Sequence, residues 1–238
     1  MPGPSPCAQT AAMHTPARIH PQQWAMAALA LAAMLSAHFG WLSGYAWLKP
    51  LPIAVCLLLV AWQGRHGRRP ITWALLLAGL LLSMAGDICL LFPEAFTAGL
   101  LAFLCAHGAY LTMLRRDSRR WLPHTGALLC TVTAGAGLYV YLWTHGLPDT
   151  LRLPVLVYVW VISLMAAQAI GRAAVLRTGA SRCVAWGALS FMTSDSILAF
   201  DKFVQPVPAS YVWVLGTYYL AQALIVHGML PTLQDRRQ

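Results

Sequence analysis

The chain has 238 residues, of which 59% are hydrophobic and 10% charged, with mean hydropathy +0.62 and a formal net charge of +9. A soluble domain carries about 25% charged residues, so this composition excludes an ordinary soluble fold and indicates a membrane protein. The basic excess does not indicate nucleic-acid binding, because the arginines are divided among loops and termini with no recognition module around them.

Taken in chain order, "MPGPSPCAQTAAMHTPARIHP" at 1–21 reads as a disordered, Pro-rich tail. It lacks the ordered charged start, apolar run and cleavage site of a signal peptide. Apolar runs bounded by charge, Pro or Gly then predict eight helical spans, at 22–38, 45–62, 73–91, 95–114, 124–143, 153–171, 182–200 and 211–230, followed by a tail at 231–238. Some lie near the lower limit of the roughly 17 to 25 residues that cross a bilayer as a helix. The spans lack the polar stripes of a soluble bundle and the short alternating strands of a barrel. The expected fold is an all-α integral membrane domain over 22–230.

Of the 16 Lys and Arg, 13 fall on one side, including Arg115, Arg116, Arg119, Arg120, Arg172, Arg177 and Arg182, while Lys49, Arg152 and Lys202 fall toward the other. That imbalance predicts that both termini are cytoplasmic, with some attraction to anionic membrane lipids; a bacterial inner membrane is the expected setting, and the charge distribution leaves a eukaryotic internal membrane open. Cys7, Cys56, Cys89, Cys105, Cys130 and Cys183 form no CxxC and read as packing residues rather than disulfides or metal ligands.

Two runs break the apolar pattern with an aspartate, "LLLSMAGDICLLF" at 80–92 and "ALSFMTSDSILAF" at 188–200. Aligning Asp87 with Asp195 also aligns Gly79 with Gly187, Met84 with Met192, Leu90 with Leu198 and Phe92 with Phe200, and each following span carries a His-Gly pair. Four crossings restore the starting side, so the pattern suggests two parallel four-helix halves. Cheap matches among apolar residues are the competing explanation. Both aspartates are expected about five residues from the outer ends of their spans, roughly 7 to 8 Å deep. Lys49 is expected at the start of its span at the same end, and Tyr218, Tyr219 and Gln222 at roughly 10 to 17 Å. These groups can line one cavity open on the non-cytoplasmic side.

An acidic residue facing lipid at a helix centre costs about 2.5 to 3.5 kcal/mol, so the alternatives are structural pairing, for instance with Lys49, or a functional cavity. Two carboxyls in a partly desolvated pocket can divide into one acid and one base, which suits hydrolysis at a carbon bonded to an ether oxygen. His107, with Tyr110 three residues on, is expected at about 18 Å, deeper than either aspartate, and reads first as a helix–helix hydrogen-bond partner. His227 reads as interfacial, Asp201 and Lys202 as a solvated loop pair, Glu94 as the start of a span, and Ser194 as bonding within its own helix. No GxSxG elbow, phosphate loop, dinucleotide fingerprint or metal motif is present.

The segments "LKPLPI" at 48–53, "GDICLLF" at 86–92, "FLCAHGAY" at 103–110, "SFMTSDSILAFDKF" at 190–203 and "YYLAQALI" at 218–225 together resemble the YhhN/TMEM86 family of integral membrane proteins, which includes lysoplasmalogenases. The resemblance spans 22–230. It implies an eight-span hydrolase acting on the vinyl ether of a lysophospholipid, lysoplasmalogen, releasing a fatty aldehyde and glycerophosphoethanolamine or glycerophosphocholine without a cofactor. The family's key aspartates map to Asp87 and Asp195. Asp87 is expected to position water and Asp195 to donate the proton, with the reverse order left open. Lys49, His107, Tyr110, Tyr218, Tyr219 and Gln222 are expected as supporting groups. The rival from another class is a multi-pass transporter of a lipid or small amphipathic molecule, which also needs charged groups in a cavity.

Overall fold

The computed structural model describes residues 21–64, 67 and 69–234, and all regular structure among them is helical. The helices are α1 (Pro21–His38), α2 (Leu42–Leu48), α3 (Leu51–Gly64), α4 (Pro70–Cys89), α5 (Phe96–Ser118), α6 (Thr125–His145), α7 (Asp149–Leu176), α8 (Gly179–Phe203) and α9 (Ser210–Gln234). Seven segments are long and apolar enough to cross a membrane, with α2 and α3 together forming the first, Leu42–Gly64. The expected span at 22–38 is a helix, but its apolar stretch, Trp24–His38, is shorter than the rest. Position 21 opens α1, and the rest of the expected N-terminal tail, Cys7 included, lies outside the described residues. At the other terminus α9 runs to Gln234, past the expected end at 230.

Charged residues ended the predicted spans too early. Helix α7 starts at Asp149, where a carboxylate meets the positive end of the helix dipole, and Arg152 pairs with it at 2.7 Å across one turn. A capping box between Thr178 and Ser181 starts α8. That helix continues through Asp201 and Lys202 to Phe203, so the two belong to its last turn and not to a loop. Pro93–Ala95 form a single 3-10 turn before α5, with Glu94 exposed.

Helices α3, α4, α5, α7, α8 and α9 each pack on the next and close a ring, while α1 lies against α3 and α9, and α6 against α7 and α8. The α8–α9 contact is very close. A Cβ on Gly187 would lie 2.9 Å from the Ala221 carbonyl oxygen, and one on Gly228 closer still to that of Ala180, the small-residue packing expected between membrane helices. Ser190 and Ser194 donate across this seam to the carbonyls of Thr217 and Val214 at 2.8 and 2.9 Å. Ser194 therefore bonds the neighbouring helix instead of its own.

At the arginine-bearing end a buried ionic cluster ties four helices together. Arg69 Nη1 pairs with Asp117 Oδ1, and Arg172 Nε lies 2.6 Å from Asp117 Oδ2 while its Nη2 reaches Thr232 at 3.3 Å. Arg172 is 1% exposed. Gln168 braces the same end through Ser118, the Arg120 carbonyl and the Leu122 amide. Sequence reading counts Arg69 and Arg172 only as signs of topology, and the structure gives them Asp117 as a shared partner.

Candidate active site

The chain breaks between α2 and α3 at Lys49–Pro50, where proline removes an amide donor. Lys49 thus sits in a break inside its span rather than at the start. Its carbonyl accepts from the Tyr219 hydroxyl at 2.8 Å, which supplies a partner at the helix end. Its side chain is 5% exposed, with the ammonium 5.8 Å from the centre of the Tyr45 ring.

Asp87 lies two residues before Cys89, the last residue of α4, and is 2% exposed. Its Oδ2 accepts from Tyr218 at 2.7 Å. Asp195 lies eight residues before Phe203, the end of α8, and its side chain is 14% exposed. The equal distances expected from the helix ends are therefore corrected, because α4 stops earlier and α8 later than the apolar runs do.

Asp195 Oδ2 accepts from the Tyr158 hydroxyl at 2.5 Å and lies 3.0 Å from His107 Nε2, which is itself 2.9 Å from that hydroxyl. With the proton on Nε2, His107 is a second donor to Asp195, and its buried Nδ1 has no partner among the described residues. The predicted depths of His107 and Asp195 disagreed chiefly because α8 was ended too soon. Eight residues of α8 correspond to about 12 Å at 1.5 Å per residue, much closer to the depth of His107. An aromatic box encloses the group: Phe191 lies edge-on to His107 with centroids 4.6 Å apart, and Tyr158 does so at 5.2 Å.

One cavity of about 240 Å³ is lined by both aspartates, together with Lys49, Tyr45, Tyr218 and Lys202 among others. No hydrogen bond engages Oδ1 of either aspartate among the described residues, leaving one oxygen of each for a ligand. A second, apolar cavity of about 60 Å³ lies between α5, α6, α7 and α8 and includes Asp195, Tyr158, Phe103, Leu142 and Ile162 in its wall. Asp195 is thus shared by a polar and an apolar chamber, whereas Asp87 lines the polar one alone. Leu138, Met192 and Ser196 continue from the apolar chamber into a groove of about 570 Å³ between α6 and α8.

The remaining expected residues lie behind the wall. Tyr110 donates to Gln222 Oε1 at 2.8 Å, and both are fully buried. Tyr219 and Gln222 were expected to line the cavity because their estimated depth matches that of Tyr218 and the aspartates. The structure turns Tyr219 to the Lys49 carbonyl and Gln222 to Tyr110, so both brace the helices that carry the site. Tyr158 escaped sequence reading: in "VLVYVWV" it resembles one more aromatic in an apolar run. The residues around it carry no distinguishing signal, and Tyr158 lies well inside α7, nine residues after Asp149. Among the described residues no group of three His, Cys, Asp or Glu side chains converges as metal ligands, and Cys56, Cys89, Cys105, Cys130 and Cys183 are free.

Comparison with known proteins gives the same pattern of relatives across distant organisms. The chain is 35% identical over 190 residues to "Lysoplasmalogenase TMEM86B" of Rattus norvegicus, covering 80% of this chain and 74% of that protein. It is 37% identical over 190 residues to the Mus musculus protein of the same name, covering 80% and 76%. It is 34% identical over 196 residues to "Lysoplasmalogenase" of Mycobacterium tuberculosis, covering 79% and 72%. No solved structure matches the chain at a significant level. The YhhN family model matches residues 44–229, which include every helix lining the two-aspartate cavity, and the chain belongs to the YhhN family.

Proposed function

We propose that this protein is a lysoplasmalogenase that hydrolyses the vinyl ether of a single-chain glycerophospholipid. The products are a fatty aldehyde and glycerophosphoethanolamine or glycerophosphocholine. The observation that carries the reading is the position of Asp195 between a polar chamber it shares with Asp87 and an apolar chamber fit for the start of a hydrocarbon chain. The relatives named lysoplasmalogenase support the same chemistry.

In this mechanism Asp195, on the chain side, protonates the β-carbon of the vinyl ether, and the ether oxygen stabilises the oxocarbenium ion at the α-carbon. As Asp195 becomes a carboxylate, the hydrogen bonds from Tyr158 and His107 to Oδ2 strengthen, so they act most in the transition state. Asp87, in the polar chamber, accepts a proton from water as that water adds to the α-carbon. The hemiacetal then collapses: its hydroxyl proton returns to Asp195, and the proton on Asp87 passes to the departing glycerol oxygen. Both carboxyls end as they began, one water is consumed, and no cofactor enters.

The chain of the substrate runs into the apolar chamber and leaves through the α6–α8 groove toward membrane lipid. With α1 as an eighth crossing, the arginine-bearing end faces the cytoplasm together with both termini, and the cavity mouth opens on the opposite side of a bacterial inner membrane. The test is aldehyde release from defined lysoplasmalogens by detergent-purified wild type, D87N and D195N, each verified as monodisperse. Release by wild type that vanishes in both variants is expected. Silence from folded wild type on both headgroups overturns the assignment.

A further inference from the structure

The last turn of α8 carries a cation that the mechanism does not use. Lys202 lines the same cavity as Asp195 and is exposed at its rim. Its ammonium rests 5.0 Å from the centre of the Phe96 ring, and that ring meets Phe203 edge-on at 5.7 Å. Among the described residues no carboxylate pairs with Lys202. The adjacent Asp201 uses Oδ1 to accept from the Val207 amide at 2.7 Å. The other cation in the wall, Lys49, is buried at the break between α2 and α3, away from the rim.

Resting on the lysoplasmalogenase reading, we infer that Lys202 is the subsite for the phosphodiester of the lipid headgroup and sets the depth at which the vinyl ether docks. Asp195 and Lys202 are seven residues apart, two turns of helix, which puts them on one face about 10.5 Å apart along the axis. In the substrate, eight covalent bonds separate the β-carbon, which Asp195 protonates, from a phosphate oxygen, roughly 9 to 10 Å when extended with bonds of about 1.5 Å. An ammonium–phosphate hydrogen bond adds about 2.8 Å. Glycerol phosphate therefore spans the interval between the proton donor and the lysine. Phe96 lines both chambers, so the ring that holds the unloaded ammonium also borders the path of the chain. The ammonium leaves the ring face for the stronger charge–charge contact when phosphate arrives.

The experiment compares wild type, K202M and K202R on a lysoplasmalogen and on its phosphate-free counterpart, 1-O-alkenylglycerol. In K202M the KM for the phospholipid rises at least roughly tenfold with kcat retained, as expected for loss of a charge-assisted bond. The alkenylglycerol kinetics stay at the wild-type level, and K202R recovers part of the loss. An unchanged KM for the phospholipid, or an equal shift on both substrates, overturns the subsite. A saturated ether lysophosphatidylcholine, which cannot be hydrolysed, gives a readout independent of turnover. Its binding, followed by tryptophan fluorescence, weakens in K202M and resists excess inorganic phosphate. Equal binding to both proteins overturns the inference, and displacement by inorganic phosphate assigns the site to free phosphate instead of the lipid. Should wild type cleave neither substrate, the activity reading fails, while the binding comparison still decides the subsite.

Discussion

Replacing Tyr158 with phenylalanine isolates one hydroxyl in the mechanism. The ring and its edge-on contact with His107, centroids 5.2 Å apart, are retained, while the hydroxyl's 2.5 Å bond to Asp195 Oδ2 is lost together with its 2.9 Å contact to His107 Nε2. A hydrogen bond to a charged group contributes about 1.5 to 3 kcal/mol. In the proposed mechanism Asp195 acquires its charge during proton donation, so that contribution appears in the transition state more than in the bound substrate. At tenfold per 1.36 kcal/mol, kcat falls about 10- to 150-fold with KM nearly constant. His107 still donates at 3.0 Å, so the loss stays below that of D195N. Initial rates of aldehyde release coupled to an aldehyde dehydrogenase measure it, with size exclusion confirming the folded state. A kcat within twofold of wild type, or a change in KM alone, would refute the role given to Tyr158.

Two further outcomes follow from parts of the molecule away from the reacting carbon. D117A leaves Arg172, 1% exposed, without its counter-charge; breaking such a buried pair costs about 3 to 5 kcal/mol. Melting in detergent should fall markedly, whereas kcat per folded molecule stays unchanged, and an unshifted melting temperature would contradict the lock. L138W crowds the junction of the apolar chamber and the α6–α8 groove. Overpacking of that kind costs about 1 to 3 kcal/mol; if it falls on the bound chain, kcat/KM drops roughly 5- to 150-fold for long-chain substrates and little for chains that end inside the chamber. Equal losses at all chain lengths would rule out this exit.

The two aspartates were legible because a charge inside an apolar run is costly and stands out without any knowledge of its neighbours. The helical class and most spans were legible for the same reason, from hydropathy alone. Helix ends were less so: Asp149 and Lys202 stop an apolar run without stopping a helix, since caps and dipoles favour charges at termini. Asp117 was hidden between arginines that topology already explained, and its pairing with Arg69 and Arg172 joins residues 48 and 55 positions away. Tyr158 was hidden because a phenol in a membrane helix carries no distinctive signal until its partner across the bundle is known. Tyr110, Tyr219 and Gln222 stood out by their polarity, but which side of the wall they occupy depends on helix rotation, which spacing within one helix does not set.

The seam between α8 and α9 also acts as a vernier for the chemistry. Ser194 adjoins Asp195 in sequence, and Thr217, which accepts from Ser190, adjoins Tyr218, the donor to Asp87. Sliding one helix along the other would move one carboxyl and the other's hydrogen-bond donor in opposite directions at once. The glycine contacts suppress separation and the two serine bonds suppress sliding, so the alignment of Asp195 with Tyr218, the donor to Asp87 on α4, is set by a single helix pair. In the proposed reaction, the tolerance in placing Asp195 against the hydrogen-bonded Asp87 comes in part from backbone register between two helices.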